Sequence, residues 1–485
     1  MLTPPSRSCT APQASAAGCN SVAELAGSGE EDYAWPRTDT CAAKLSFTRH
    51  IRKFFDAKAA AGVDGHVEVD VQPGETFLGP SPWTGGSLDD WNAVVEEVSA
   101  QLSPWKINGA DMEQTLWFVN QFNEALKELN QDASVGLCEM SRYGADVGTA
   151  LGWDPFTMRY DPGRTRMLFE FCRMRFLSPE TPDPILVFVK PEPHSKKKIE
   201  EGRLRLISAV SLVDTMVDRI MFRWLQVRVL GTPAKTPVMV GWSPYQGGYR
   251  FLTTRFQGRK GLCIDKSSWD WTVQGWLIRT ICHIVDSLVV DAPFWWRHWL
   301  VRRWIALFRD AVFGFRSGER IQQPCWGVMK SGCYLTILLN SICQMVLHSV
   351  VCARLGISPD WRFFKCMGDD TLQAEVEDIQ QYVREMRRLG AFIKEYSCAA
   401  RLEFCGHYME GTSVVPAYLG KHVFKVRHVA LEEAALSLEA YQITYFRPVE
   451  VRDLISFQTQ SSFLKSNMPH FKDILSQVSR HYMEG

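Results

Sequence analysis

The sequence has no net charge: Lys and Arg number 54, and so do Asp and Glu. That excludes a uniformly basic nucleic-acid binder, so any polyanionic partner must be held by a local patch. Its 14 cysteines are scattered, with no pair at Cys-x-x-Cys spacing. Such scatter argues against a disulfide framework and for reduced thiols in a cytosolic setting. Cys398, Cys405 and His407 lie near one another, but no fourth ligand follows at a familiar zinc spacing. The two cysteines read as buried free thiols. No uninterrupted apolar run reaches about eighteen residues, the length of a membrane span. No basic start followed by an apolar core marks a signal peptide, and no internal repeat is visible.

What is there is globular. The 485 residues suffice for about three average domains or one large multi-lobed enzyme, and 46% hydrophobic with 22% charged residues is ordinary for a packed protein. Residues 1–40 are rich in Ser, Ala, Pro and Gly and read as a flexible leader. "PGETFLGPSPWTGG", Pro73 to Gly86, is a loop cluster and a second soft boundary. "SLVDTMVDRIMFRWL" has helical spacing, with Ser211 and Asp214 at a capped start. "FWWRHWLVRRWIALF", Phe294 to Phe308, reads as a packed helix with snorkelling arginines rather than one lying on a membrane surface. From 260 to 400 the order is strand, helix, helix, hairpin, helix, strand. That predicts an α+β unit with helices on one face of a small, mainly antiparallel sheet.

Chemistry enters at "CMGDDTLQ". Gly368 and Asp369 between two strand-like runs are a hairpin signal, and an isolated Gly-Asp-Asp is most often just a turn. The reading changes because "KGLCID" is a strand ending at Asp265, with Asp270 five residues on. The predicted sheet sets the hairpin tip beside the end of that strand, so Asp265 comes near Asp369. Carboxylates from two neighbouring strands can bridge two Mg²⁺ ions, with Asp370 as a helper. Between them, "KSGCYLTILLNSICQ" puts Thr336 and Asn340 on one helical face. Polar groups in so apolar a helix need partners, and a ribose could supply one. Upstream, Lys190, Lys196, Lys197, Lys198, Arg203 and Arg205 crowd between strand-like "ILVFV" and "LRLIS". A charge run is usually a solvated face, but these flanks favour a structured basic finger able to neutralise a triphosphate.

Taken together and in order, these stretches resemble the RNA-dependent RNA polymerases of positive-strand RNA viruses, most nearly the sobemovirus, polerovirus and barnavirus group. The resemblance runs from about residue 130 to 410. It implies a right hand of fingers, palm and thumb, with a small antiparallel palm sheet packed on helices. It divides the chain into a leader (1–40), an N-terminal extension and fingers (41–260, basic motif 190–207), a palm (261–410, with room for a fingers insertion around 287–325) and a thumb (411–485). It implies that Asp265, Asp369 and Asp370 hold two Mg²⁺ ions, for which Mn²⁺ can substitute. Asp270 and Asn340 would recognise the ribose 2′-hydroxyl. Ser331 and Thr336 would help place the nucleotide. Arg205, with Lys198 and Arg203, would meet the triphosphate, while Lys190 and Glu192 match the start of the same motif. Lys394 matches a lysine proposed to protonate pyrophosphate. "LEFCGHYM" resembles the primer-grip hairpin, and "SVGLCEMSRYG", Ser134 to Gly144, a template-entry loop. RNA template and product, NTPs, a protein-linked primer and other viral replication proteins are the implied partners. The implied setting is the host cytoplasm, in replication complexes with peripheral membrane association. The rivals are a reverse transcriptase and an inactive, polymerase-like RNA-binding subunit.

Overall fold

The computed structural model of the chain describes residues 33–60 and 78–428, save 80, 180 and 246, together with 437, 440 and 444. Most of the leader read over 1–40 and most of the thumb read over 411–485 therefore lie outside the described residues.

Along the chain, α1 (Thr40–Ala60) buries Phe47, Phe54 and Ala57. β1 (Ile185–Val189) and β2 (Leu206–Ala209) pair antiparallel and frame the basic run. α2 (Leu212–Gly231) starts where the capping signal predicts, with the Ser211 hydroxyl accepting from the Asp214 N–H at 3.1 Å. β3 (Gly261–Lys266) buries Leu262 and Ile264 and runs into a single turn, α3 (Trp269–Thr272). α4 (Gly275–Ser287) follows two extended residues, Val273 and Gln274. α5 (Phe294–Phe308) leads to the hairpin β4 (Val312–Gly314) and β5 (Arg320–Gln322). α6 (Thr336–Leu355) precedes a second hairpin, β6 (Lys365–Met367) and β7 (Asp370–Ala374). α7 (Ile379–Arg388) ends at Gly390, whose φ of 92° is the left-handed geometry of a helix stop. β8 (Ile393–Ala399) ends this stretch, which holds the predicted elements but adds a helix and the β4–β5 hairpin before α6; the meander β9 (Leu402–Phe404), β10 (His407–Glu410) and β11 (Ser413–Pro416) follows.

The central sheet has the order β6-β7-β3-β8 and is antiparallel throughout. α6 packs on β6 and α7 on β8, while β9 lies against β3 and β7. The mixture of helices and antiparallel strands is the α+β class expected. A second sheet, β2-β1-β4-β5, gathers strands from both sides of the basic run and from the stretch between α5 and α6; β1 and β4 are parallel in it.

α6 is buried almost all round, from Leu338 to Cys352, which is why its sequence shows no polar face. By length and composition alone it passes for a membrane span, but 83% of its apolar window is buried inside the protein. α5 corrects one detail of the sequence reading. It is packed as expected, with Trp296, Trp299 and Trp304 in the core, but Arg303 does not snorkel. Its guanidinium is 2% exposed and grips Asp218 with two bonds of 2.5 and 2.9 Å, with Asp214 at 3.6 Å. Such a buried pair costs about 3–5 kcal/mol to break on one side only, so it fixes α5 against α2.

Candidate active site

Three of the predicted carboxylates converge on one end of the central sheet. β3 delivers Asp265. The β6–β7 turn consists of Gly368, at φ 65°, and Asp369, and Asp370 opens β7 opposite Met367. The Ser341 hydroxyl, on α6, accepts from the Gly368 N–H at 2.8 Å and ties this turn to the core. Burial raises the carboxyl pKa of Asp369 and of Asp370, and the charge of Asp265 pushes both further. Asp370 nevertheless stays exposed to solvent, while Asp369 is half-buried. Lys266, 4% exposed, opposes the rise from behind: its Nζ donates to the Asp369 carbonyl at 3.3 Å and to Thr371 Oγ1 at 3.2 Å.

The donors are all carboxylate oxygens, which suits a hard divalent cation. Among the described residues, however, no three His, Cys, Asp or Glu side chains are gathered as a ready metal cage. Asp265 instead carries an ammonium. Lys394 is the bulged residue where β8 shifts register against β3, and its Nζ lies 2.5 Å from Asp265 Oδ2 and 2.8 Å from Glu395 Oε1. Burial works against its charge, but those two carboxylates outweigh it and raise its pKa.

Beside the carboxylates lies a polar relay. Trp269 Nε1 donates to Asn340 Oδ1 at 2.9 Å, and Asn340 Nδ2 donates to Asp270 Oδ1 at 2.7 Å. An indole can only donate, so it fixes the orientation of the amide and aims the NH₂ at the carboxylate. Burial, then the charge of Asp369, raises the Asp270 carboxyl to about 7, against the pull of Asn340. The partners expected for the polar residues of α6 thus come from the protein. Asn340 has Trp269 and Asp270, and Thr336 donates its hydroxyl to the carbonyls of Lys330 and Cys333, both at 2.7 Å.

Ser331 and Gly332 are docked on β2. The Ser208 N–H donates to Ser331 Oγ at 3.0 Å, and the Gly332 N–H returns a bond to the Ser208 carbonyl at 3.2 Å. A Cβ on Gly332 would lie 2.5 Å from that carbonyl oxygen, so only glycine fits. The basic run is organised by an acid. Glu192, 6% exposed, pairs with Arg205 at 2.6 Å, Lys190 at 2.9 Å and Lys421 at 3.6 Å. Burial opposes its ionisation, yet these cations bring its carboxyl down to about 2. Arg203 pairs with Glu201. Lys198 is half-buried with no ion pair among the described residues; burial first, then Arg205, Lys394 and Arg203, lower it to about 8.

Residues 117–399 match the family described as viral RNA-dependent RNA polymerase. This chain belongs to that family. It is 31% identical over 244 residues to the replicase polyprotein P2AB of cocksfoot mottle virus, covering 46% of this chain and 24% of that protein. It is 28% identical over 342 residues to protein P1-P2 of a Netherlands strain of potato leafroll virus, covering 64% and 30%. It is also 25% identical over 388 residues to the RNA-directed RNA polymerase of mushroom bacilliform virus, covering 76% and 90%. The chain thus spans about a quarter to a third of the first two relatives and most of the third.

For a member of the polymerase family, the residues read from sequence gather at one end of the central sheet and along β2. The hairpin around Cys405 is present as β9 and β10, although Cys398 and Cys405 are half-buried thiols rather than fully buried ones. Ser134 to Gly144 forms a loop with one 3₁₀ turn, closed by a bridge from Ser134 to Asp146. Sequence reasoning missed four supporting groups of this polymerase-family site: Lys266, Ser341, Lys330 and Lys53. Lys330 is wholly buried, with Nζ bonded to the Val328 carbonyl at 2.9 Å and lying over the rings of Phe308 and Phe313. Lysines read as solvent-facing unless paired, so nothing local marks this one.

Proposed function

We propose that the chain performs template-directed RNA synthesis, moving nucleotides from NTPs to an RNA 3′-hydroxyl. The observation that carries this is the Trp269–Asn340–Asp270 relay beside Asp369, a polar site suited to a 2′-hydroxyl. A reverse transcriptase, the nearest rival, has an aromatic gate at that point of its palm.

In this reading the central sheet is the palm of a right hand, the β2-β1-β4-β5 sheet belongs to the fingers, and the chain after 411 forms the thumb. Asp265, Asp369 and Asp370 would hold two divalent cations, Mg²⁺ or Mn²⁺, which when bound lower the pKa of the attacking hydroxyl and steady the pyrophosphate. Lys198, with the free donors of Arg203 and Arg205, would meet the triphosphate, and its lack of an acidic partner among the described residues supports that role. Ser331 and Thr336 would shape the nucleotide's floor through the loop they brace. Lys394 would leave Asp265 as metal enters and give its proton to the departing pyrophosphate. Positioning and electrostatics supply the acceleration. The cocksfoot mottle virus relative is named a replicase polyprotein. In line with that, sister replication proteins and a protein-linked primer are the proposed partners beside RNA and NTPs.

The test is primed RNA extension by the purified chain with ATP or dATP, with and without a chelator. Extension that prefers ATP by more than about a hundredfold and stops on chelation is expected. Extension that persists in chelator, or that favours dATP, contradicts the reading.

A further inference from the structure

α1 lies outside the matched residues 117–399, yet it reaches the centre of the site. Lys53 Nζ donates to Ser267 Oγ at 2.5 Å and to Ser268 Oγ at 3.1 Å. These two serines form the turn between Asp265 and Asp270. Ser268 is left-handed, with φ at 56°, a conformation that a side chain disfavours and that must be held by its surroundings.

Two further contacts hold the same turn. The His50 ring stacks on Trp271 at 5.1 Å and 16°, and Phe47 meets Trp271 edge-on at 5.6 Å. On its other side α1 is tied to the basic run. Ser46 Oγ donates to the Leu204 carbonyl at 2.8 Å, and His50 Nε2 lies 3.0 Å from the same oxygen. Leu204 stands between Arg203 and Arg205. One helix therefore links the basic run to the turn that spaces a metal carboxylate from a ribose-facing one. Lys53 makes no ion pair among the described residues, so its ammonium is spent on the two serines and on the face of Phe392, 5.3 Å away.

We propose that Lys53 is a positioning residue for ribose selection: by holding Ser267 and Ser268 it sets Asp270, with its Asn340 partner, at a fixed distance from Asp265. The proposal rests on the polymerase reading above. Loss of the clamp lets the turn relax, and Asp270 drifts while Asp265 stays anchored in β3. The cost falls on discrimination between ribose and deoxyribose more than on binding of RNA.

The experiment is single-nucleotide incorporation on primed RNA by the full chain, with ATP and dATP separately. Lys53→Met keeps the aliphatic stem and removes the donor. The ATP-to-dATP ratio of kcat/KM is expected to narrow by about tenfold, with melting temperature and RNA binding unchanged. Ser267→Ala with Ser268→Ala, which removes the acceptors and leaves the helix intact, is expected to do the same, and the triple variant to do no more. Ser268→Gly, which accepts the left-handed turn freely, is expected to restore the ratio in the Lys53→Met background. Rates for both nucleotides that fall together at constant ratio would overturn the proposal, and so would an unchanged ratio in the double-serine variant. A parent chain that incorporates neither nucleotide overturns the polymerase reading itself. An active parent with an unmoved ratio overturns only the role of Lys53.

Discussion

Lys394 stands where a cation is wanted. Its ammonium neutralises Asp265 across 2.5 Å, with the carboxylate 46% and the lysine 30% exposed. An ion pair this accessible is worth less than about 1 kcal/mol, so a divalent cation would displace it at small cost. Lys394→Met is therefore expected to tighten Mn²⁺ binding by about two- to fivefold, read by paramagnetic resonance of the free ion, while slowing RNA synthesis. Unchanged Mn²⁺ affinity would show that the lysine and the metal do not compete. At this scale the carboxylates were legible because the chemistry restricts residue type and the motif restricts spacing. Lys53 was not: it touches residues more than 200 positions away, and in sequence it is one basic residue on a helix of mixed character.

Among the elements, the strands and helices that position the site follow from local signals. Ser211 caps α2, Gly390 stops α7, and Gly368 turns the β6–β7 hairpin. What local signals do not carry is docking between elements. The Ser331–Gly332 loop lies on β2 because Gly332 offers no Cβ to the Ser208 carbonyl. Gly332→Ala forces that backbone apart and is expected to destabilise the chain by about 1–3 kcal/mol, read by urea unfolding, with RNA synthesis falling further than stability. A variant of parental stability would mean that the loop is free to move off β2. The arginines of α5 teach the same lesson. Composition predicts snorkelling, but the acids of α2 bury Arg303, and no pattern within α5 announces a partner on another helix.

Over the whole molecule, only the β6–β7 pair of the central sheet is announced by its own turn, whereas β3 joins β7 and β8 across more than a hundred residues and was placed by the order of the motifs. The second sheet was less legible, because β1 and β4 are parallel and distant in sequence, and parallel pairing leaves no local turn signal. Zero net charge leaves room for a local basic cluster: Glu192 binds three cations into one group, and Lys198 makes no ion pair among the described residues. The whole account turns on one claim, that Asp265 and Asp369 act together as the metal-holding pair of a nucleotidyl transferase. The most direct test is the rate of single-ribonucleotide addition to primed RNA by the parent, Asp265→Ala and Asp369→Ala, with RNA affinity measured alongside. The account predicts that each variant loses at least about a thousandfold in rate, that the double variant loses little more, and that RNA affinity holds. Either single variant adding nucleotide at the parental rate would contradict it.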